Sequence, residues 1–247
     1  MPFTFSHPAV VLPLCLLPRN WVSVTGLVVG SLVPDFEKFL KMAPGNTVSH
    51  TWEGIFWFNL PLGILVAFLF HGVVRNPLIH NLPWLLKRRF LRFETFNWSS
   101  YFRKKYAVVC LSILIGATSH IAWDSITHYH GLGVQLFPFL KEKVWFLNDR
   151  YTIYNLLYTV GSVVGVICIF LIILFLPPER KNEVHAVADK RWGMYWPVAA
   201  VTAFLVLLVR GALSEASEVY WNIIISSISA TLIGLIVSSS IIKYKLK

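Results

Sequence analysis

The stretch Tyr106-Ala-Val-Val-Cys-Leu-Ser-Ile-Leu-Ile-Gly-Ala-Thr-Ser-His120-Ile-Ala-Trp-Asp124-Ser-Ile-Thr-His128 decides how this chain is read. It begins as an uncharged apolar run of the kind that crosses a bilayer, which takes about 20 residues. It closes on three metal-competent side chains spaced four apart, which a helix lines up along one stripe. Ionisable groups at membrane depth are costly and point to function.

Working outward, the whole chain shares the apolar character of that run. Of 247 residues 56% are hydrophobic and 14% charged, and the mean hydropathy is +0.62. Such a composition excludes an ordinary soluble domain and indicates an integral membrane protein. The formal net charge of +10 is explained by basic residues flanking spans. No basic stripe with interleaved aromatics occurs in a polar segment, so nucleic acid is not expected as a partner. Cys15, Cys110 and Cys168 stand singly in apolar runs and read as small core hydrophobes. The N-terminus has no Lys/Arg-rich start, Pro13 interrupts its apolar run and no small-residue cleavage site follows, so no cleaved signal peptide is expected.

Five segments, the run from Tyr106 included, read as spans: 54–73, 106–123, 154–176, 196–210 and 221–242. The N-terminal part is different. Segments 9–17 and 21–33 are each too short to cross comfortably, and Pro18-Arg-Asn20 separates them. They form either one long kinked span or a helical hairpin that enters and returns on one side, buried among the other helices. The expected architecture is an all-α, polytopic transmembrane helical bundle with an N-terminal helical hairpin. It is expected to form a single integral membrane domain over residues 1–247, with a metal-site half (1–150) and C-terminal spans (151–247).

Lys and Arg set the orientation. Arg75, Lys87, Arg88, Arg89, Arg92, Arg103, Lys104 and Lys105 lie between the first two spans. Arg180, Lys181, Lys190 and Arg191 follow the third, and Lys243, Lys245 and Lys247 end the chain. If the spans alternate, all three groups fall on one side, which is then cytoplasmic. The opposite loops, 34–53, 124–150 and 211–220, carry Asp35, Glu37, Glu53, Asp124, Glu142, Asp149, Glu215 and Glu218. Trp21, Trp52, Trp57, Trp123, Trp196 and Trp221 stand near segment ends, as interfacial residues do. The basic segment 75–105, with Leu85, Leu86, Phe90, Phe93, Phe96 and Trp98, is expected to be an amphipathic surface helix on the inner leaflet.

The outer side gathers the candidate ligands: His7, Asp35 with Glu37, His50, and the His120/Asp124/His128 stripe. His120 is 15 residues past Lys105, about 22 Å along a helix in a hydrocarbon layer about 30 Å thick. It therefore lies in the outer leaflet, with Asp124 and His128 near the boundary. His7 joins them only if the N-terminus forms a hairpin. Imidazole with carboxylate suits zinc, iron or manganese. His120 and His128 are about 12 Å apart along a helix axis, so Asp124 between them could bridge two ions about 3.5–4 Å apart, the arrangement that hydrolyses phosphate esters. Each residue also has a plainer reading. A lone His such as His7 is more often structural, Asp35 could cap a helix, Ser49-His50-Thr51 could be a polar helix start, and His120 with Asp124 could be a buried pair joining two helices. His130 is a candidate further ligand or supporting residue. Lys141, Arg150 and Arg210 could contact an anionic substrate or simply anchor at the interface. His71, His80 and His185 fall toward the cytoplasmic side and are set apart.

These motifs carry a resemblance. Met1-Pro-Phe-Thr-Phe-Ser-His7-Pro-Ala, Gly30-Ser-Leu-Val-Pro-Asp35-Phe-Glu37, Ser49-His50 and His120-x-x-x-Asp124-x-x-x-His128 resemble an uncharacterised bacterial membrane family, domain of unknown function 4184, over most of the chain. More distantly, the order His, Asp, His, His-x-x-x-Asp is similar to bacterial membrane-bound metal-dependent hydrolases and to the zinc-dependent phospholipase C and P1 nuclease group. That likeness implies His7, Asp35, His50, His120, Asp124 and His128 as metal ligands, with Asp35 orienting or deprotonating the attacking water. The soluble enzymes also use a mature N-terminal amine and a late His-x-x-x-Glu. Neither is evident here, so one or two divalent ions, zinc by preference, are implied rather than three. The expectation is a multi-pass hydrolase of the bacterial cytoplasmic membrane, acting at the outer face on a phospholipid or lipid-linked phosphate. The alternative is a non-catalytic transporter or assembly factor whose His/Asp cluster binds a cation or relays protons. A third possibility is a structural component with a metal-free polar knot.

Overall fold

The computed structural model describes residues 3–179, 192–213 and 219–244. Arg180, Lys181, His185, Lys190, Arg191, Glu215, Glu218, Lys245 and Lys247 lie outside the described residues. The described chain is helical apart from one antiparallel hairpin, Lys143–Phe146 paired with Asp149–Thr152. Among the described residues five helices are long and apolar enough to cross a membrane: Trp52–Asn81, Trp98–Thr127, Ile153–Phe175, Gly193–Ala212 and Asn222–Tyr244. Their side chains are largely turned outward, and only 6% of the apolar window of Ile153–Phe175 is buried within the protein. Apolar helices that hide so little of themselves have lipid as their solvent, and the chain is a multi-pass membrane protein.

Local chemistry shapes each element. Ser23 Oγ accepts from Gly26 N at 3.2 Å, Thr51 Oγ1 from Gly54 N at 2.9 Å, and Asn97 Oδ1 from Ser100 N at 2.9 Å, so three helices start on side-chain caps. The Trp52–Asn81 helix contains two π-turns, Ile55–Asn59 and Phe70–Val74. Each holds the residue four before a proline, Pro61 and Pro77. Proline has no N–H for that carbonyl and its ring crowds it, so the ladder widens there.

The basic segment 75–105 is not one surface helix. The span runs on to Asn81, a short helix Trp84–Phe90 starts behind Pro83, and Asn97 caps a new helix at Trp98. Proline cannot continue a ladder, which explains the break. The Trp98 helix runs through Arg103 and Lys104 and kinks at Lys105, where φ is −133° and ψ 25°. Hydropathy misses those first turns because Lys and Arg, though good helix formers, score as polar.

Close packing divides the described chain into two compact units that interleave in sequence. The first comprises Met1–Asp35, Thr47–Ile64 and Phe102–Ile172. In it the apolar helix Thr4–Leu16 folds back against Val24–Leu32, joined through Val11, Val22 and Leu27 with Leu14 and Cys15 alongside. This is the helical hairpin rather than the single kinked span. Val24–Leu32 then meets Trp98–Thr127 backbone to backbone. A Cβ on Gly30 would lie 2.3 Å from the Ile113 carbonyl oxygen, and one on Gly116 2.5 Å from that of Leu27. Small residues permit such contact in lipid, where packing rather than water exclusion drives association.

The second unit comprises Phe36–Asn46, Leu65–Tyr101 and Ile173–Lys247. There Trp192–Ala212 and Val219–Tyr244 pair antiparallel. Ser238 Oγ donates to the Tyr195 carbonyl at 2.7 Å, and Tyr195 Oη meets Ser239 Oγ at 3.2 Å. Ser229 Oγ donates to the Phe39 carbonyl at 2.8 Å, and Trp196 Nε1 to that of Asn81 at 2.8 Å.

Candidate metal centre

The glycine-mediated contact fixes the first two site residues. Because Val24–Leu32 lies flat on Trp98–Thr127, His120 Nδ1 comes within 2.7 Å of the Ser31 carbonyl oxygen, and Asp35 follows one turn later. A carbonyl only accepts, so the imidazole proton sits on Nδ1 and the Nε2 lone pair points the other way. It points at carboxylates: Asp35 Oδ1 at 3.8 Å and Asp124 Oδ2 at 3.6 Å.

The folded-back N-terminus brings His7. Phe3 N donates to Ser162 Oγ at 3.2 Å, tying that end to the Ile153–Phe175 helix. The His7 ring stacks on His120 with centroids 3.7 Å apart and planes 16° apart, and its Nε2 is 3.7 Å from Asp124 Oδ1. Thr4 Oγ1 donates to Asp35 Oδ2 at 2.5 Å, leaving Oδ1 to face His120.

His50 arrives from the start of the Trp52–Asn81 helix. Asn59, inside the first π-turn, donates from Nδ2 to the Ser49 carbonyl at 2.7 Å and holds the preceding turn in place. Ser49 Oγ meets His50 Nδ1 at 3.1 Å, and His50 Nε2 meets Asp124 Oδ2 at 3.2 Å. The His50 ring stands edge-on to His120 at 5.3 Å. His128 completes the group, with Nδ1 3.7 Å from Asp124 Oδ1 and its ring edge-on to Tyr158.

The structure thus brings together all six residues singled out from the sequence: His7, Asp35, His50, His120, Asp124 and His128. Ligand atoms of His7, Asp35 and His120, and of His50, His120 and Asp124, form two triads, each within 4.8 Å, that share His120. His130 stands apart from both triads, its ring against Tyr129. Lys141 packs over Tyr129 and Arg150 over Trp145, while Arg210 belongs to the second unit. The group is graded in depth. His7, Asp35 and His120 are buried, whereas side-chain exposure rises from 12% at Asp124 to 22% at His50 and 35% at His128.

Sequence reasoning did not single out the supports. Ser31 acts through its backbone, which has no sequence signature. Thr4 and Asn59 did carry one: each is a polar residue in an apolar helix, where an unexplained hydrogen-bonding group is a signal.

Two features of the cluster are ones that a cation site would have. His120 Nε2 and Asp124 Oδ1 are buried and have no hydrogen-bond partner among the described residues, although buried polar groups nearly always have one. The donor set of imidazoles and carboxylates is that of zinc and related ions, and a dication would offset the two carboxylates. Neither a curated protein nor a solved structure matches the chain. A family model described as a domain of unknown function, DUF4184, matches residues 1–240. With the match running through every residue of the cluster, the chain belongs to the DUF4184 family.

Proposed function

We propose that this protein is a membrane-bound metal-dependent hydrolase, with the His/Asp cluster holding one or two divalent ions of the zinc class. One observation carries the reading. Three of the imidazole–carboxylate separations around His120 and Asp124 are 3.6, 3.7 and 3.8 Å. Those are too long for hydrogen bonds. They are close to the edge of a tetrahedral shell, about 3.3 Å when metal–ligand bonds are 2.0–2.1 Å. The ligands are held from behind by Ser31, Thr4 and Ser49, which is how metal-binding imidazoles and carboxylates are oriented.

A bound ion would supply an acidified water and polarise a phosphoryl oxygen. The residues divide the remaining work. His7, His120 and Asp35 form the deep anchor. Asp35 is the carboxylate that the resemblance assigns to the water, but it is buried and one of its oxygens is held by Thr4. Asp124 is better placed to orient or deprotonate water, because it lies on the accessible side between His50 and His128. Those two imidazoles border the approach. The site lies toward the Thr127 end of its helix, at headgroup depth. Its substrate class in this reading is a phosphate ester carried by a phospholipid or lipid-linked phosphate; the positive-inside pattern supports the face away from the cytoplasm, and the resemblance implies a bacterial cytoplasmic membrane.

Elemental analysis of detergent-purified protein tests the reading. Wild type should carry stoichiometric metal, lost in Asp124→Ala and His120→Ala. Equal trace metal in all three overturns the proposal. Chelator-sensitive cleavage of a phosphodiester lipid then separates an enzyme from a non-catalytic cation-binding transporter or assembly factor, which would hold metal without cleaving.

A further inference from the structure

We propose that the hairpin Lys143–Phe146/Asp149–Thr152 is a lipid-insertion element that dips into the headgroup region of the leaflet containing the His/Asp cluster. Three independent features of the hairpin lead there.

The first is its lack of support. A two-stranded hairpin is marginal in water unless something packs on a face. Here Lys143, Val144, Trp145 and Phe146 are all exposed, and so are Asp149, Arg150 and Tyr151 opposite them. Strand alternation puts Val144, Phe146 and Tyr151 on one face and Trp145 on the other, so both faces present large apolar groups.

The second is the tip. Phe146 pairs with Asp149, leaving Leu147 and Asn148 as a two-residue turn. Leu147 has φ +55° and is 86% exposed. That left-handed position normally takes glycine or asparagine, because a Cβ is strained there. A bulky aliphatic residue at a strained and exposed tip is favourable only where its surroundings are apolar.

The third is its position in the chain. The hairpin lies between two membrane-crossing helices, following Trp98–Thr127 and running directly into Ile153–Phe175. Ile153 N donates to the Glu142 carbonyl at 3.0 Å, so the start of the Ile153–Phe175 helix holds the base of the hairpin. Its composition matches the membrane–water boundary, where aromatics and snorkelling cations concentrate. Trp145 is 67% exposed, and the cross-strand Arg150 guanidinium lies 4.9 Å from its ring centroid. Lys141 covers Tyr129 in the same way at 5.8 Å. The occupant these features fit is therefore lipid, continuous with the lipid around the flanking spans.

The test uses the full chain with Cys15, Cys110 and Cys168 replaced by serine, and Leu147→Cys labelled with an environment-sensitive fluorophore in nanodiscs. Lipid spin-labelled near the headgroup should quench that probe several-fold more than aqueous iodide does. Dominant quenching by iodide would put the tip in water and overturn the proposal. Shielding from both quenchers would mean that protein covers it, a partner or a second copy, and would overturn it equally. Asn148→Cys offers a second probe position should Leu147→Cys fail to fold. None of these outcomes depends on metal or on hydrolysis.

Discussion

In the second unit, His71 and His80 each meet a complementary group. Arg75 Nη1 lies 3.0 Å from His71 Nδ1 and donates to the Phe96 carbonyl at 2.7 Å. Its Nη2 donates to the Glu94 carbonyl at 3.1 Å and its Nε to Asn76 Oδ1 at 2.8 Å. His80 Nε2 pairs with Glu94 Oε1 at 2.8 Å, and the His71 ring lies flat on Trp98. Donors face acceptors throughout, at hydrogen-bond distance, and the result ties down the turn that precedes the Trp98 helix. In the first unit His50 also meets Asp124 at hydrogen-bond distance, 3.2 Å, but the other imidazoles of the cluster are arranged differently. Ring nitrogens of His7, His120 and His128 stand 3.6–3.8 Å from the carboxylates of Asp35 and Asp124, with no lysine or arginine among them. Histidine in a membrane helix thus has two physical meanings. In the proposed reading, what separates them is whether a bound cation is needed to offset the surrounding carboxylates.

That contrast can be broken by substitution. The largest effect is expected at Asp124→Asn, which keeps the shape and removes a charge from the centre. Metal affinity should fall by 1000-fold or more, about 4 kcal/mol, measured by competition with a chromogenic chelator. His71→Gln in the second unit should leave that affinity unchanged. If both variants lose metal alike, the distinction between the two nests fails.

Next in size is Arg75→Met. Removing a buried guanidinium that serves the Glu94 and Phe96 carbonyls should cost about 2–3 kcal/mol of stability, read as a lower Tm in detergent with metal stoichiometry intact. Metal addition should raise the Tm of wild type by ligand linkage, about 2.7 kcal/mol at 100 times Kd, and should not raise that of Asp124→Asn. Thr4→Val sharpens the contrast further. It removes only the hydroxyl that holds Asp35, so affinity should drop about tenfold, as when outer support for a ligand is lost. The smallest effect is expected at His128→Gln. As the most exposed member of the cluster, His128 should contribute only a few-fold to metal affinity. A larger loss there would move the centre of the site outward.

The spans were legible because lipid makes secondary structure a local matter. A segment in hydrocarbon must satisfy its own backbone, and only a long apolar helix does so. The candidate ligands were legible by type for the same reason: His120 and Asp124 stand out in a run that otherwise excludes charge. The 75–105 segment was misread as one surface helix, because its amphipathic composition gave no weight to Pro83 as a break or Asn97 as a new start. The hairpin at 143–152 was read as plain loop, since two short strands of mixed composition have no periodicity long enough to register.

Sequence alone determined that this chain lives in a membrane, how many long helices cross it and which side chains could hold a cation. Only tertiary structure decided that those side chains share a centre. Their meeting rests on contacts between distant segments: Gly30 and Gly116 letting two backbones touch, the Ser31 carbonyl turning His120, and the N-terminal helices folding back to deliver His7. Apolar character is a property of each residue and can be read one position at a time. Convergence belongs to pairs far apart in the chain, and it exists only once the helices have packed.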